Sequence, residues 1–147
     1  MIAGIVVGGL VFVFISGVLA RAFSIDGAER SAITGLVQAE ARGDQNGVLA
    51  RIQGCNVSVQ CRARVSQDVI ALAHPGAVSI LQLEPSAGFS LTSTLGTARV
   101  AWNVESSLPI VQCVRVRRAG NVFSGLRVEL LSLSARIKSD SDCPTRF

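Results

Sequence analysis

The chain has 147 residues and a formal net charge of +4, and 49% of its residues are hydrophobic. This length leaves room for one domain with its own core after the apolar N-terminal segment. The small basic excess falls short of a nucleic-acid-binding surface, so we expect no nucleic-acid partner. It favours loose contact with anionic lipid head groups or cell-wall polymers.

The first twenty residues contain no charged side chain, and Arg21 is the first charge of the chain. At about 1.5 Å per residue, a helix of this length spans about 30 Å, the thickness of the hydrocarbon core of a bilayer. We therefore predict a transmembrane anchor over residues 1–22. A cleaved secretory signal is the alternative, although a basic n-region is absent and the apolar run is long. A buried helix of a soluble protein is the third interpretation.

The four cysteines stand in a C-x5-C pair and a C-x29-C pair, and His74 is the single histidine. This spacing does not match a zinc site, so we expect no metal. An even number of cysteines on an exported domain favours disulfides formed in an oxidising compartment. We predict the pairs Cys55–Cys61 and Cys113–Cys143. Four reduced thiols in a cytosolic domain are the alternative.

Two signals disagree on the side of the membrane that the domain occupies. Arg21 and Arg30 follow the apolar segment, and the positive-inside rule then weakly favours the cytoplasm. The cysteine content favours the opposite side, and the charge rule is weak for long translocated domains. We predict a single-pass cell-membrane protein whose residues 23–147 form an extracytoplasmic domain.

Between residues 24 and 73 the apolar side chains recur at helical spacing. The first helix ends at Arg42-Gly43, and it can continue the membrane helix because no proline separates them, with Gly27 as the expected bend. Asp44 is a candidate N-cap for a short second helix that Gly54 closes. A third helix over Arg62–Ala73 turns three side chains inward, namely Val65, Val69 and Leu72.

After the breaker His74-Pro75-Gly76 the apolar period changes to two, which predicts strands. The predicted strands are Val78–Leu83, Phe89–Leu95, Ala98–Val104, Ile110–Arg117 and about Val122–Ile137. Gly96 marks a turn and Ala119-Gly120-Asn121 a hairpin turn, and the break in alternation at Leu130-Leu131 indicates a bulge.

Helices followed by antiparallel strands predict an α+β domain, in which about three helices pack in the hollow of a curved sheet of four to five strands. Two parts of the sequence carry a family resemblance. They are the run Gln38-Ala39-Glu40-Ala41-Arg42-Gly43-Asp44 and the closing hairpin, residues 111–121 leading into Val128-Glu129-Leu130-Leu131. Over about residues 30–137 the chain resembles the nuclear transport factor 2-like (cystatin-like cone) superfamily. Membrane-tethered, extracytoplasmic members include Mce-associated membrane proteins and assembly-factor subunits of type IV secretion and conjugation machines. The resemblance implies a cone-shaped domain that binds or scaffolds other components.

The titratable residues do not assemble into an acid, a base and an electrophile. His74 precedes a proline at a helix end, where an imidazole more often caps the last carbonyls. Glu84 also precedes a proline and reads as a solvated carboxylate, and Asp68 lies six positions from His74, so the two do not share a helix face. We predict no catalytic residue, no cofactor and no enzymatic activity.

A group of arginines lies on the last strands and predicts a basic interaction surface for an acidic partner or phosphate head groups. Its members are Arg99, Arg115, Arg117, Arg118 and Arg127. The alternative is an ordinary solvated sheet face. Trp102 lies in the inward-facing register of its strand and is predicted to be a core residue, with a ligand-stacking role in the mouth of the cone as the alternative.

Together these features predict an accessory or assembly subunit of a bacterial cell-envelope complex. The expected partners are the membrane, through the N-terminal helix, and another protein or a second copy of the chain. Two alternatives are a module that binds a small lipid-like ligand in the cone and a pilin-like structural subunit. The glutamate that pilins carry early in the apolar helix is absent here.

Overall fold

The computed structural model describes residues 2–86, 93–105, 107–121, 125–138 and 141–147. Within these ranges the chain forms the helices α1 (Ile2–Ala41), α2 (Gln45–Arg51) and α3 (Val59–Leu72). The strands β1 (Val78–Glu84), β2 (Thr94–Val104), β3 (Ile110–Asn121) and β4 (Gly125–Leu133) follow. This order, helices first and an antiparallel sheet second, confirms the predicted α+β class.

Helix α1 is unbroken over 40 residues, so the apolar N-terminal segment and the first helix of the domain are one element. Its N-terminal part is long and apolar enough to cross a membrane. Large apolar side chains there are exposed, from Leu19 at 43% to Phe12 at 72%. From Ile25 onward the same helix buries one side in the domain. The expected bend site, Gly27, lies within the continuous helix.

The ends of the helices follow from their capping residues. Gly43 has a φ of +75° after α1, a conformation that glycine adopts without strain. The Asp44 side chain accepts a hydrogen bond of 2.8 Å from the Gly47 N–H, which confirms Asp44 as the N-cap of α2. Helix α3 begins three residues before its predicted start because Ser58 caps it by accepting from the Cys61 N–H.

The strands are ordered β1-β2-β3-β4 in an antiparallel sheet. In β4, Ser132 pairs with Arg115 whereas Leu130 pairs with Val116, so Leu131 is the extra residue of a bulge. This bulge confirms the one predicted from the break in alternation. A second bulge at Leu81 in β1 was not predicted.

The predicted turn at Gly96 is wrong, because Gly96 lies inside β2 and pairs with Val116. A Cβ at this position would lie 2.2 Å from the carbonyl oxygen of Ser86. Glycine is therefore required by the close passage of the backbone that follows β1. The described part of the predicted strand Phe89–Leu95 joins the next one to form β2, and Phe89 and Leu91 lie outside the described residues.

The prediction that the last strand reaches Ile137 is also wrong. Strand β4 ends at Leu133. The backbone then follows β3 irregularly, since the Ser134 N–H donates to the carbonyl of Cys113 and the Ile137 N–H to that of Val111, both at 2.8 Å.

The core lies between the helices and one face of the sheet. Alternate residues of β2 and β3 are buried on this face, as the predicted strand alternation requires: Ala98, Val100, Trp102 and Val104 on β2, and Ile110, Gln112, Val114 and Val116 on β3. Helix α1 contributes Ile33, Leu36 and Val37, and helix α3 contributes the three side chains predicted to point inward. We call this the inner face, and the opposite side of the sheet the outer face.

Candidate functional site

Both predicted cysteine pairs are joined by disulfides in the structure. Cys55 and Cys61 close the loop between α2 and α3, with Cα atoms 5.2 Å apart. Cys113 on the outer face of β3 is bonded to Cys143 in the tail, with Cα atoms 5.7 Å apart. The tail is thereby attached to the middle of the sheet.

A buried ion pair joins α1 to β3 close to the end of the apolar segment. The Nε of Arg118 donates to Glu29 at 2.9 Å, and its Nη2 donates to Asp26 at 2.5 Å. The side chain of Glu29 is 0% exposed and that of Arg118 is 3% exposed. The other oxygen of Glu29 accepts from the Ser86 N–H at 2.6 Å, so this carboxylate also holds the chain after β1.

This arrangement fixes the domain on its helix. Charges taken out of water are tolerated when each has a partner of opposite charge and additional hydrogen bonds, as Glu29 and Arg118 do here. Arg30, on the next position of α1, donates to the carbonyl of Leu83 at 3.1 Å. Three elements, α1, β1 and β3, are therefore joined within the first turns of α1 after the apolar segment.

A second buried polar group lies at the far end of α1. The Nε1 of Trp102 donates to Gln112 at 2.8 Å, and the Nε2 of Gln112 donates to Glu40 at 3.0 Å and to the carbonyl of Ser134 at 3.2 Å. Trp102, Gln112 and Glu40 are all 0% exposed. The tryptophan is a core residue, and its polar N–H is satisfied as buried tryptophans require.

Burial raises the pKa of Glu40 from 4.5 to about 7, because desolvation disfavours its charged form. The hydrogen bond from Gln112 opposes this shift, and the nearby Asp68 adds to it. The second oxygen of Glu40, Oε2, is buried and has no hydrogen-bond partner among the described residues. The pKa of Asp68 is raised as well, mainly by burial, and Arg64 acts against that shift.

Asp68 and Arg64 line a cleft of about 250 Å³ between α3 and β4. Ser132 lies in its wall, and the hydroxyl of Ser132 is buried without a hydrogen-bond partner in the described part of the chain. Phe147 of the tail forms another part of the wall. Clefts that hold drug-sized ligands have volumes of about 300 Å³ or more, so this cleft is too small for such a ligand. Its volume corresponds to one side chain or one small head group.

The structure does not bring the five predicted arginines together on one basic surface. Arg118 points to the inner face and is buried in the ion pair with Glu29. The other four lie on the outer face of the sheet, each in a different row. Only Arg118 is excluded from the predicted surface, because Arg117 and Arg118 are adjacent and adjacent residues of a strand point to opposite faces.

Two of the outer arginines share one carboxylate. Arg117 and Arg127 bind the two oxygens of Glu129, at 2.5 Å and 2.9 Å. Together they hold the pKa of Glu129 below its ordinary value, with the hydrogen bond from Arg127 as the largest cause. Arg117 also donates to the side chain of Gln53 at 2.7 Å.

The remaining outer arginines have other surroundings. Arg115 donates to the carbonyl of Thr145 at 2.6 Å, and its guanidinium group lies 5.3 Å from the centre of the Phe147 ring. Arg115 therefore stabilises the tail that Cys143 attaches to the sheet. Arg99 pairs across the sheet with Glu84 on one side and Cys113 on the other.

His74 and Glu84, which were considered as catalytic candidates and rejected, lie apart from each other in the structure. His74 is exposed, and its backbone N–H donates to the carbonyl of Ala41 at 3.0 Å. Glu84 is exposed at the end of β1 and accepts from Gln82 at 2.7 Å.

Sequence analysis missed the two buried polar groups, although their signal is present in the sequence. Glu29 falls four residues from Ile25 and four from Ile33, on the apolar side of the helix. Arg118 continues the buried alternation of Val114 and Val116 on the strand. An acid and a base in the apolar registers of two elements predict a buried ion pair between them.

Comparison of the chain with protein-family models, with curated proteins and with solved structures found no match.

Proposed function

We propose that the chain is a single-pass membrane protein whose extracytoplasmic domain binds or scaffolds other proteins of a bacterial cell envelope, without catalysing a reaction. The observation that carries this proposal is the continuity of α1, which runs from the apolar segment into the core without interruption. The ion pair between Arg118 and the α1 carboxylates attaches the sheet to that same helix. A domain held in this way keeps a fixed orientation relative to its membrane helix, as a docking subunit needs.

The two disulfides support an extracytoplasmic location. Disulfides persist in oxidising compartments and are rare in the cytosol. All four cysteines of the chain are used in these bonds, and no free cysteine is present. The resemblance to the nuclear transport factor 2-like superfamily, whose membrane-tethered members serve envelope machines, stays part of the same proposal.

Exposed apolar side chains outside the N-terminal apolar segment are positions at which protein binding can be tested. Ile70 on α3 is 80% exposed and Leu108 in the connection from β2 to β3 is 76% exposed. Single exposed apolar residues are common on protein surfaces, so these two serve as probe positions and not as a defined interface.

The test uses the full chain in bacterial cells. We expect it to remain in the membrane fraction after alkaline washing, to be digested by protease added to spheroplasts, and to resist alkylation by maleimide unless a reductant is added first. A photo-reactive residue in place of Leu108 or Ile70 is expected to yield a discrete adduct with one protein. Protection from protease in spheroplasts, or four reactive thiols without reductant, contradicts the proposal.

The cleft between α3 and β4 favours a second candidate function, the binding of a small ligand. Its unpartnered Ser132 hydroxyl and its half-buried Asp68 are polar groups that a ligand can satisfy. In the full chain, a Ser132→Trp variant is expected to block such binding, whereas the Leu108→Trp variant, at an exposed position outside the cleft, leaves it unchanged. The assay is a screen of lipid head-group analogues in which binding is followed by NMR. If both variants bind the same analogues equally well, this second function is contradicted.

A further inference from the structure

One end of the sheet lies beside the part of α1 that follows the apolar segment. Arg118, near the end of β3, binds Asp26 and Glu29, whereas Gln112, near its start, binds Glu40. Strand β3 therefore runs antiparallel to α1, back toward the apolar segment. The end of β3 and the start of β4 form the proximal end of the domain, and the connection between β2 and β3 lies at the distal end.

The helix rise sets the height of this proximal end. Asp26 follows Arg21 by five residues, which corresponds to about 8 Å along the helix. The head-group layer on each side of the hydrocarbon core is about 5–8 Å thick. Arg118, bonded to Asp26, is therefore at the outer boundary of the head groups when the hydrocarbon core ends at Arg21.

Strand β3 continues past Arg118 toward the membrane. Three further residues lead to Asn121, the last of the strand, a distance of about 10 Å along β3. The paired ends of β3 and β4 therefore reach the level of the head groups even when the strand is inclined to the helix axis.

The described side chains at this level suit a lipid surface. The side chain of Arg127, which pairs with Ala119, is 75% exposed, and that of Arg117 is 45% exposed. The two arginines share the single carboxylate of Glu129, which leaves one net positive charge. Leu95, directly opposite Arg117 on β2, is 63% exposed. Basic and apolar side chains side by side are typical of surfaces that lie on anionic membranes.

We propose that this proximal end, formed by the start of β2, the end of β3 and the start of β4, rests on the anionic phosphate head groups of the bilayer that α1 crosses. Arg127, which pairs with Ala119, is the charged side chain nearest to the paired ends of β3 and β4 among the described residues, and Leu95 lies at the interface beside it. The inference rests on the proposed membrane anchor. It adds that the domain contacts the bilayer with one defined surface, which leaves the distal end free.

The experiment places p-benzoylphenylalanine at one position at a time in the full chain, reconstituted in nanodiscs of phosphatidylglycerol and phosphatidylcholine. The proximal positions replace Arg127 or Leu95, and the matched control replaces Leu108, which is exposed at the distal end. Leu108 lies beyond Ile110, the first residue of β3, which is about 26 Å along the strand from Arg118. The fluorescence of Trp102, which is fully buried, shows that each variant is folded.

After irradiation, mass spectrometry is expected to find lipid adducts at positions 127 and 95 at about tenfold the level at position 108, because only the proximal end reaches the head-group layer. A second chain carries four alanines inserted between Arg21 and Ala22, which raises the domain by about 6 Å. In that chain the adducts at position 127 are expected to decrease severalfold.

The outcomes separate this inference from the proposed anchor. Reconstituted protein that floats with the nanodiscs but forms equal adducts at positions 127 and 108, or more at 108, overturns the proximal surface and leaves the anchor intact. Protein that does not associate with the bilayer overturns both. Adducts at position 127 that the four-alanine insertion leaves unchanged also overturn the proposed geometry, because they cannot depend on the height that α1 sets.

Discussion

The buried carboxyl group of Glu40 makes the stability of the domain depend on pH. Its pKa is about 7 in the folded chain and 4.5 in the reference state. A group whose pKa rises on folding contributes its full stability below the unfolded value and loses it as the pH rises through the folded value. The domain is therefore expected to lose stability between about pH 5 and pH 8, in the direction opposite to acid denaturation.

The magnitude follows from the shift. One pKa unit corresponds to about 1.4 kcal/mol, so a rise from 4.5 to about 7 costs about 3 kcal/mol at pH 8 relative to pH 4. This is a large part of the stability of a small domain, which is about 5–15 kcal/mol. The Glu40→Gln variant keeps an oxygen that accepts from Gln112 and carries no charge at any pH. It is expected to equal the natural chain near pH 4 and to exceed it by about 3 kcal/mol at pH 8.

The assay is urea unfolding of the full chain in detergent micelles at a series of pH values, followed by the fluorescence of Trp102. That ring donates to Gln112, which binds Glu40, so it reports on the same group. In the variant, the unfolding free energy is still expected to decrease slightly as the pH rises, since burial also raises the pKa of Asp68. The control, Glu84→Gln, changes an exposed carboxylate. If Glu40→Gln unfolds with the same pH dependence as the natural chain, the reasoning from burial is refuted.

Three further changes test other parts of the structure. Arg118→Met leaves the buried Glu29 without its partner, and the unfolding free energy is expected to fall by about 3–5 kcal/mol. Removing the disulfide between Cys113 and Cys143 by serine substitution at both positions is expected to cost about 4 kcal/mol, because the bond closes a loop of about 30 residues in the unfolded chain. Gly96→Ala places a Cβ against a backbone oxygen and is expected to lower the thermal midpoint by about 10 °C or more.

Each change has a matched control measured by the same unfolding assay. Arg127→Met removes an arginine from an exposed ion pair and is expected to cost less than about 1 kcal/mol. Loss of the short bridge between Cys55 and Cys61 is expected to cost about 2 kcal/mol, less than the longer one. Gly27→Ala adds a Cβ that meets nothing within 4 Å, and alanine in the helix interior favours stability by up to about 1 kcal/mol. A control that is as destabilised as its partner contradicts the corresponding explanation.

The sequence predicts the parts of the fold that depend on local chemistry. Asp44 can accept from the backbone three residues later whatever surrounds it, and the break in alternation at Leu130-Leu131 forces an extra residue into any regular pairing. The change of apolar period after residue 76 separates helices from sheet for the same reason.

Other features depend on what packs against a residue. Gly96 resembles a turn glycine in sequence, but its role comes from the backbone at Ser86, ten residues away. The arginines of the last hairpin resemble one cluster, but Arg118 is buried on the inner face, while Arg117 lies on the outer face. A charged side chain in sequence does not show which partner it has until the opposite element is placed beside it.

The unbroken course of α1 has a mechanical consequence. If its apolar part spans a bilayer as proposed, the helix and the domain tilt together as one body. Spanning helices tilt by about 20° on average and adjust this angle to the thickness of the membrane. The twenty residues from Ala22 to Ala41 extend about 30 Å, so a 20° change in tilt swings the distal end sideways by about 10 Å. The sideways position of Leu108 relative to the anchor then changes with the thickness of the bilayer.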